Sequence, residues 1–324
     1  KPIPSGIEDL IIYQLHVGAL GFGKPGHGTL ADAMEFVDYL EELSVNAVEL
    51  LPINEFTGAI SMGYGFSHFF AVEHSAGGRD QLKHFVRECH RRGIAVILDV
   101  VYNHYAPAAE RAQWQFDSDA PEKNMWYWYE GSTSDYPTPD GGYIDNISTG
   151  YAPRFCEEQV RKCFVSSAVS FATEFHIDGF RMDQVTSLHS YAVLHADGRP
   201  ADRARAFGIK FLREWNRTLK LVKPSIATHA EDHSQWSQVT APTSTDGLGF
   251  DAFWYADFYH HLVGGSDKGS DYAKLIRMCG EGNDNSQAMD YFSGVLAASA
   301  NCTVVYAGVH DHAGNAAQSA RAIV

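Results

Sequence analysis

The feature that most restricts the fold of this chain is a regular alternation of short apolar segments with longer amphipathic ones. Residues 94–101 are almost entirely apolar, which is typical of a parallel strand buried on both faces. Residues 29–43 and 79–92 instead repeat their apolar side chains with a helical period. Strands that alternate with helices in this way indicate an α/β protein built on a parallel sheet.

Seven strands are predicted in total, at residues 11–17, 45–51, 94–101, 177–183, 226–231, 250–254 and 303–309. Helices are predicted at residues 29–43, 79–92, 157–174, 203–221, 272–278, 287–300 and 316–324. This order predicts a TIM (β/α)8 barrel, although no eighth strand is recognisable in the chain. An open, doubly wound sheet is the rival architecture.

One long irregular stretch interrupts the alternation after the third strand. It is rich in Pro, Gly, Asp and aromatic residues and has no steady period. Long stretches of this kind within a compact fold are usually functional. We therefore assign residues 1–104 and 154–324 to the barrel and residues 105–153 to an inserted subdomain.

Charge and cysteine content restrict the partners and the compartment. The formal net charge of −15 argues against nucleic acid and anionic membranes as partners. Five cysteines without a C-x-x-C pair are typical of reduced thiols, so we expect a cytosolic protein. No apolar run is long enough to span a bilayer, and the chain contains no H-E-x-x-H metal-binding motif. We therefore expect no metal cofactor, and the oligomeric state is left open.

Polar and charged side chains stand where four of the predicted strands end. They are Asp99, Asn103 and His104 after the third strand, Arg181 and Asp183 on the fourth, Glu231 on the fifth, and His310 and Asp311 after the seventh. Because the carboxyl ends of barrel strands meet at one face, we expect Asp183, Glu231 and Asp311 to share a pocket.

Arg181 and Asp183 are two residues apart, so on a strand their side chains point to the same side. A guanidinium beside a carboxylate favours the ionised carboxylate, although the pair could also simply cap a strand. Three crowded carboxylates cannot all ionise easily, which separates their pKa values. One can then act as a nucleophile and another as an acid, as retaining glycoside hydrolysis requires.

The same motifs, in this order, resemble the four motif regions of the α-amylase family, glycoside hydrolase family 13. The matching stretches are residues 99–104 and 179–183, Glu231, and the pair His310 and Asp311. The resemblance implies that Asp183 is the nucleophile, Glu231 the general acid/base and Asp311 the residue that steadies the transition state. It also implies a (β/α) barrel with an insertion after the third strand.

Further roles are implied only by this resemblance. Tyr64 would stack under the sugar that is cleaved, Arg181 would keep Asp183 ionised, and His104 and His310 would bind sugar hydroxyls. Asp99 and Asn103 belong to the same substrate-binding motif. Some relatives bind Ca²⁺ near the position of Asn103, but the residues themselves give no independent signal for the ion.

Within the family, residues 12–18 and 247–254 are most similar to the group of glucan branching enzymes and maltooligosyltrehalose trehalohydrolases. Residues 231–236 favour branching enzymes, whereas residues 257–261 and 310–315 favour the trehalohydrolase. The implied substrate is an α-1,4-glucan or maltooligosaccharide, processed either by α-1,6 branch transfer or by hydrolysis. The alternatives from other classes are a catalytically inactive glucan-binding protein and a metal-dependent hydrolase.

Overall fold

The structure is a computed structural model, and it describes residues 2–4, 6–56, 58, 61–106, 152–189, 204–263, 271–276, 278 and 286–314. The chain divides into two compact units, Lys1–Phe250 and Asp251–Val324, which we call the first and the second unit. Nearly all of the predicted insertion, residues 107–151, and the predicted last helix at 316–324 lie outside the described residues.

The first unit contains a parallel sheet and a small antiparallel hairpin. Its strands are β1 (Ile12–Leu15), β2 (Ala47–Leu50), β3 (Asn54–Phe56), β4 (Phe66–Val72), β5 (Ala95–Val100), β6 (Gly179–Met182) and β7 (Ala227–Ala230). Its helices are α1 (Leu30–Glu42), α2 (Gly78–Arg92), α3 (Glu158–Glu174), α4 (Thr186–His189) and α5 (Ala204–Val222). Strands β1, β2, β5, β6 and β7 pair in parallel in this order, whereas β3 pairs with β4 in the antiparallel sense.

The second unit contains β8 (Ala252–Trp254), α6 (Ala256–Leu262), α7 (Met289–Ala298), β9 (Thr303–Val304) and α8 (His310–Gly314). Strands β8 and β9 are parallel. Strand β9 is shorter than the predicted 303–309, because its hydrogen bonds to β8 stop where β8 ends. Across the described parts of both units, no helix is long and apolar enough to cross a membrane.

The helix boundaries follow from local chemistry. Thr29 caps α1, accepting a hydrogen bond from the Asp32 N–H while the Asp32 carboxylate accepts one from the Thr29 N–H, which is a capping box. Helix α2 ends at Gly93, whose φ of 74° lies in the left-handed region that glycine adopts without strain. Thr and Gly are residue types favoured at these two positions.

The two faces of the parallel sheet have different chemistry. Phe180 on β6 packs edge-on against Trp215 of α5, with the ring centroids 5.7 Å apart, so this face contacts the helical layer. The opposite face starts with an apolar layer that contains Ala47, Ala95 and Ile97. Because side chains alternate along a strand, the next positions on that face carry Glu49 and Asp99. Polar groups are thus concentrated on one face, toward the carboxyl ends of the strands.

Candidate active site

The hydrogen-bond ladder of the sheet places the predicted catalytic side chains. Asp99 on β5 lies opposite Arg181 on β6. Beyond the strand ends, the Asp183 N–H donates to the carbonyl of Val100, and the Glu231 N–H donates to the carbonyl of Met182. Asp183 and Glu231 therefore stand on neighbouring chain segments at the same edge of the sheet.

Arg181 is the centre of the site. Its side chain is fully buried, and one guanidinium nitrogen donates to Asp99 Oδ2 at 2.7 Å and to Asp183 Oδ1 at 2.8 Å. The other terminal nitrogen lies 2.7 Å from Glu231 Oε2. A single guanidinium thus bridges three carboxyl groups, where the sequence predicted a simpler pairing with Asp183.

The Asp183 carboxyl is held at both oxygens. Asn103 Nδ2 donates to Asp183 Oδ2 at 2.7 Å, while Arg181 binds Oδ1. His104 Nδ1 in turn donates to Asn103 Oδ1, which orients the amide. Asn103 and Arg181 therefore fix the rotamer of Asp183. A fixed rotamer suits a carboxyl group that must meet a substrate atom in one orientation.

Tyr64 reaches the same cluster from the loop between β3 and β4. Its hydroxyl donates to Asp99 Oδ2 at 2.6 Å. Its ring centroid lies 6.0 Å from the Arg181 guanidinium carbon. The structure thus brings Tyr64, Asp99 and Arg181 together, and the stacking of Tyr64 under a sugar stays a prediction.

Glu231 is oriented by a strained turn that the sequence did not reveal. Gln184 directly follows the strand-end Asp183 and has a φ of 42°, in the left-handed region that non-glycine residues rarely occupy. This turn directs the Gln184 N–H to Glu231 Oε2 at 2.8 Å. The other oxygen, Oε1, lies 3.6 Å from His233 Nε2.

The pKa values of Asp183 and Glu231 are shifted in directions that differ from the ionised Asp183 expected from the sequence. Burial, reinforced by the charges of Glu231 and Asp99, raises the pKa of Asp183 well above its usual range. Burial also raises the pKa of Asp99, to about 6. Although burial acts in the same direction on Glu231, the charge of Arg181 prevails and lowers the pKa of Glu231 below its usual range. Without substrate, these directions favour a proton on Asp183 over a proton on Glu231. Arg181 favours the ionised form of Asp183, but burial and the charges of Glu231 and Asp99 act in the opposite direction and outweigh it.

His104 is a neutral group in this environment. Burial lowers its pKa to about 4. The ring also hydrogen-bonds to the backbone of Tyr64, which acts on this pKa in the opposite direction to burial. The role of His104 in binding a sugar hydroxyl stays a prediction.

A buried polar chain next to the site was missed in the sequence. Gln14 Nε2 donates to Glu49 Oε1 at 2.8 Å, and His229 Nε2 lies 2.9 Å from Glu49 Oε2. His229 lies opposite Arg181 in the sheet, and Arg181 contributes to lowering the pKa of Glu49. The signal in the sequence was Glu49 in β2 and His229 in β7, each the one charged or imidazole side chain of a short strand.

The remaining predicted residues belong to the second unit. His310 and Asp311 begin α8, and His310 Nε2 lies 3.4 Å from Asp311 Oδ1. The Asp311 side chain is 53% exposed. The convergence of Asp311 and His310 with Asp183 and Glu231 stays a prediction.

The residues that the structure describes contain no group of three or more His, Cys, Asp or Glu side chains arranged to hold an ion. The amide of Asn103, the position near which Ca²⁺ was considered, donates to Asp183 and accepts from His104.

Comparison with known proteins gives consistent matches. A family model described as the catalytic domain of α-amylase matches residues 18–148. Over 256 aligned residues, the chain is 33% identical to a 1,4-α-glucan branching enzyme of Corynebacterium jeikeium. The aligned region covers 78% of this chain and 34% of that protein. Over 255 aligned residues, it is 31% identical to a malto-oligosyltrehalose trehalohydrolase of Saccharolobus solfataricus. This aligned region covers 79% of this chain and 38% of that protein. The chain thus spans about a third of the length of the curated relatives that it matches.

Among solved structures, the debranching enzyme of Nostoc punctiforme matches with a TM-score of 0.69 at 17% identity, over 96% of this chain and 68% of that one. At this identity the match shows the fold alone. The parallel strands and their helices are therefore part of a TIM barrel, as the alternation predicted. The resemblance seen in the motifs is confirmed, and the chain belongs to the α-amylase family, glycoside hydrolase family 13.

Proposed function

We propose that this protein is a retaining enzyme that acts on α-1,4-linked glucans by double displacement, with Asp183 as nucleophile and Glu231 as general acid/base. The observation that supports this most is the bridging of both carboxyl groups by the one guanidinium of Arg181. Retaining glycosidases hold their two carboxyls close together, whereas inverting ones leave room for a water molecule between them. A pair bridged by one side chain favours the retaining arrangement.

In the first step, the Glu231 carboxyl donates its proton to the glycosidic oxygen while a carboxylate oxygen of Asp183 attacks the anomeric carbon. The bond between that carbon and the leaving oxygen breaks, and its electrons stay with the oxygen. Positive charge develops on the sugar beside Asp183, which favours the ionised form of that carboxyl. Because the charges of Asp183 and Glu231 act on each other, loss of the Asp183 proton as the substrate reacts favours protonation of Glu231.

In the second step, Glu231 removes a proton from the hydroxyl of an acceptor, and the acceptor oxygen attacks the anomeric carbon. The bond to Asp183 breaks, so the configuration of the sugar is inverted twice and thereby retained. Tyr64, His104 and, in this proposal, Asp311 would contact the sugar. Arg181 and Asn103 hold Asp183 in place for both steps.

The acceptor decides the reaction. Transfer to a glucan 6-hydroxyl makes α-1,6 branches, and transfer to water is hydrolysis. We favour branch transfer, because the relative with 33% identity is named a branching enzyme. Hydrolysis is the second candidate, because a relative with 31% identity is named a trehalohydrolase.

Product analysis tests the proposal. The wild-type protein and Asp183→Ala are incubated with amylose and maltooligosaccharides, and reducing ends and α-1,6 linkages are counted. The proposal predicts new α-1,6 linkages with the wild-type protein and a rate at least about a thousandfold lower with Asp183→Ala. Asp80→Asn, which removes a carboxylate that is 92% exposed on α2, is the matched control and should behave as wild type.

The outcomes separate the candidates. New reducing ends without α-1,6 linkages would favour hydrolysis over branching. A folded wild-type protein that binds glucan and changes neither quantity would favour a binding role. Full activity in Asp183→Ala would contradict the assignment of the nucleophile.

A further inference from the structure

His233 is a titratable neighbour of Glu231 that the proposed mechanism does not yet use. Its Nε2 lies 3.6 Å from Glu231 Oε1, the oxygen opposite the one that faces Arg181 and the Gln184 N–H. The side chain of His233 is 50% exposed, so it can exchange protons with solvent. Its backbone N–H donates to Thr186 Oγ1 at 3.1 Å, which fixes its place beside Glu231.

We propose that His233 is a positioning residue whose charge sets whether Glu231 serves as the acid or as the base. The inference rests on the proposed function of Glu231. Double displacement needs both states in turn, because Glu231 gives a proton in the first step and takes one in the second. The two oxygens of Glu231 are not equivalent: Oε2 faces fixed N–H donors, whereas Oε1 faces a group that can gain or lose a proton.

The sign of the effect follows from the charge. A positive His233 beside Oε1 stabilises the Glu231 carboxylate, which favours the base needed in the second step. A neutral His233 removes that stabilisation and favours the protonated acid needed in the first step. The reverse effect has the matching sign: the interaction with Glu231 raises the pKa of His233 above its usual value, against the opposing effect of burial.

Other charged groups of the first unit also act on this pair. Asp232 raises the pKa of His233, and Arg181 lowers it. Asp232 is itself paired with the buried His189, so its charge is partly offset. On the other side, Asp183 and Arg181 contact Glu231. All of these groups are buried or fixed, and His233 is the half-exposed member whose charge responds to solvent pH in the physiological range.

Two substitutions fix the charge of the residue, His233→Gln as permanently neutral and His233→Arg as permanently positive. The readout is kcat/KM for a maltooligosaccharide between about pH 5 and pH 9, because this ratio reports the first step and the protonation states of the free enzyme. The matched control is His74→Gln, which replaces an exposed histidine between β4 and α2.

The wild-type protein should lose kcat/KM as pH falls through the pKa of His233. Protonation of Asp183 contributes an acid limb in every variant. His233→Gln should lose only the part of the limb that depends on His233 and exceed the wild type by about threefold or more near pH 5.5. His233→Arg should lie about threefold or more below the wild type near pH 8 and should also lose the part that depends on His233. His74→Gln should reproduce the wild-type profile.

Two results would overturn the inference: profiles of both variants that keep the wild-type acid limb, or an equal loss in both variants at every pH, which is what a merely structural role gives. The proposed function is tested separately by Asp183→Ala. If that variant is inactive and the His233 variants keep the limb, only the inference fails. If Asp183→Ala is fully active, the proposed function fails.

Discussion

Arg181 contacts more of the carboxyl groups of the site than the sequence suggested. It contacts Asp99, Asp183 and Glu231 at distances of 2.7–2.8 Å, and its side chain is fully buried. A buried guanidinium needs such partners, because an uncompensated charge in the interior costs several kcal/mol. Conversely, three acidic groups around one positive charge repel one another when all are ionised, which favours a proton on at least one of them. The proposed acid step needs such a proton.

The first prediction concerns the shape of this side chain. Lysine keeps the charge but offers a single point of contact, so Arg181→Lys cannot bridge Asp183 and Glu231 in the same geometry. We expect kcat/KM for a maltooligosaccharide to fall by about a hundredfold or more, with the protein still folded by circular dichroism. Arg79→Lys, at an exposed ion pair with Glu174, is the matched control and should stay within about twofold. Near wild-type kinetics in the Arg181→Lys variant would show that the bridge is not needed.

At the scale of the elements, the parallel strands and long helices were predictable because each has a local signal. The apolar run of β5 and the capping pair Thr29 and Asp32 of α1 are examples. The hairpin of β3 and β4 was missed, because its pairing joins Asn54 to Val72, a contact that no short window of sequence contains. The length of β9 was overestimated for a similar reason, since it depends on where its partner β8 ends.

The second prediction belongs to the scale of the elements and concerns Gly179 of β6. A Cβ atom there would lie 2.9 Å from the carbonyl oxygen of Ala227 and 3.2 Å from a side-chain carbon of Ile97. Because neighbouring strands are held by the sheet, Gly179→Ala should lower the free energy of unfolding by about 1–3 kcal/mol, measured by denaturant titration. Gly294→Ala is the matched control, since a Cβ there meets open space within α7 and should be neutral or slightly stabilising. Equal stabilities of the two variants would contradict the packing argument.

For the molecule as a whole, one topological rule made most of the site predictable. Parallel strands carry their carboxyl ends to the same edge, so Asp99, Arg181, Asp183 and Glu231 could be grouped from the sequence. The sharing of Arg181 among three carboxyls could not be predicted, because it depends on side-chain rotamers and burial. For the same reason the sequence suggested an ionised Asp183, whereas burial raises its pKa. Asp311 lies in the second unit, and its part in the site remains a prediction.

The measurement that tests the central claim most directly is the capture of the covalent glycosyl-enzyme. A maltosyl fluoride with a second fluorine on the reacting ring slows both steps, because the fluorine destabilises positive charge on the sugar, but the fluoride leaving group keeps the first step fast. The intermediate should accumulate, and mass spectrometry of a digest should find one added glycosyl group on the peptide that contains Asp183. Asp183→Ala should give no label, while Asp80→Asn should label as wild type. Label on another carboxylate, or turnover without any captured intermediate, would contradict double displacement at Asp183.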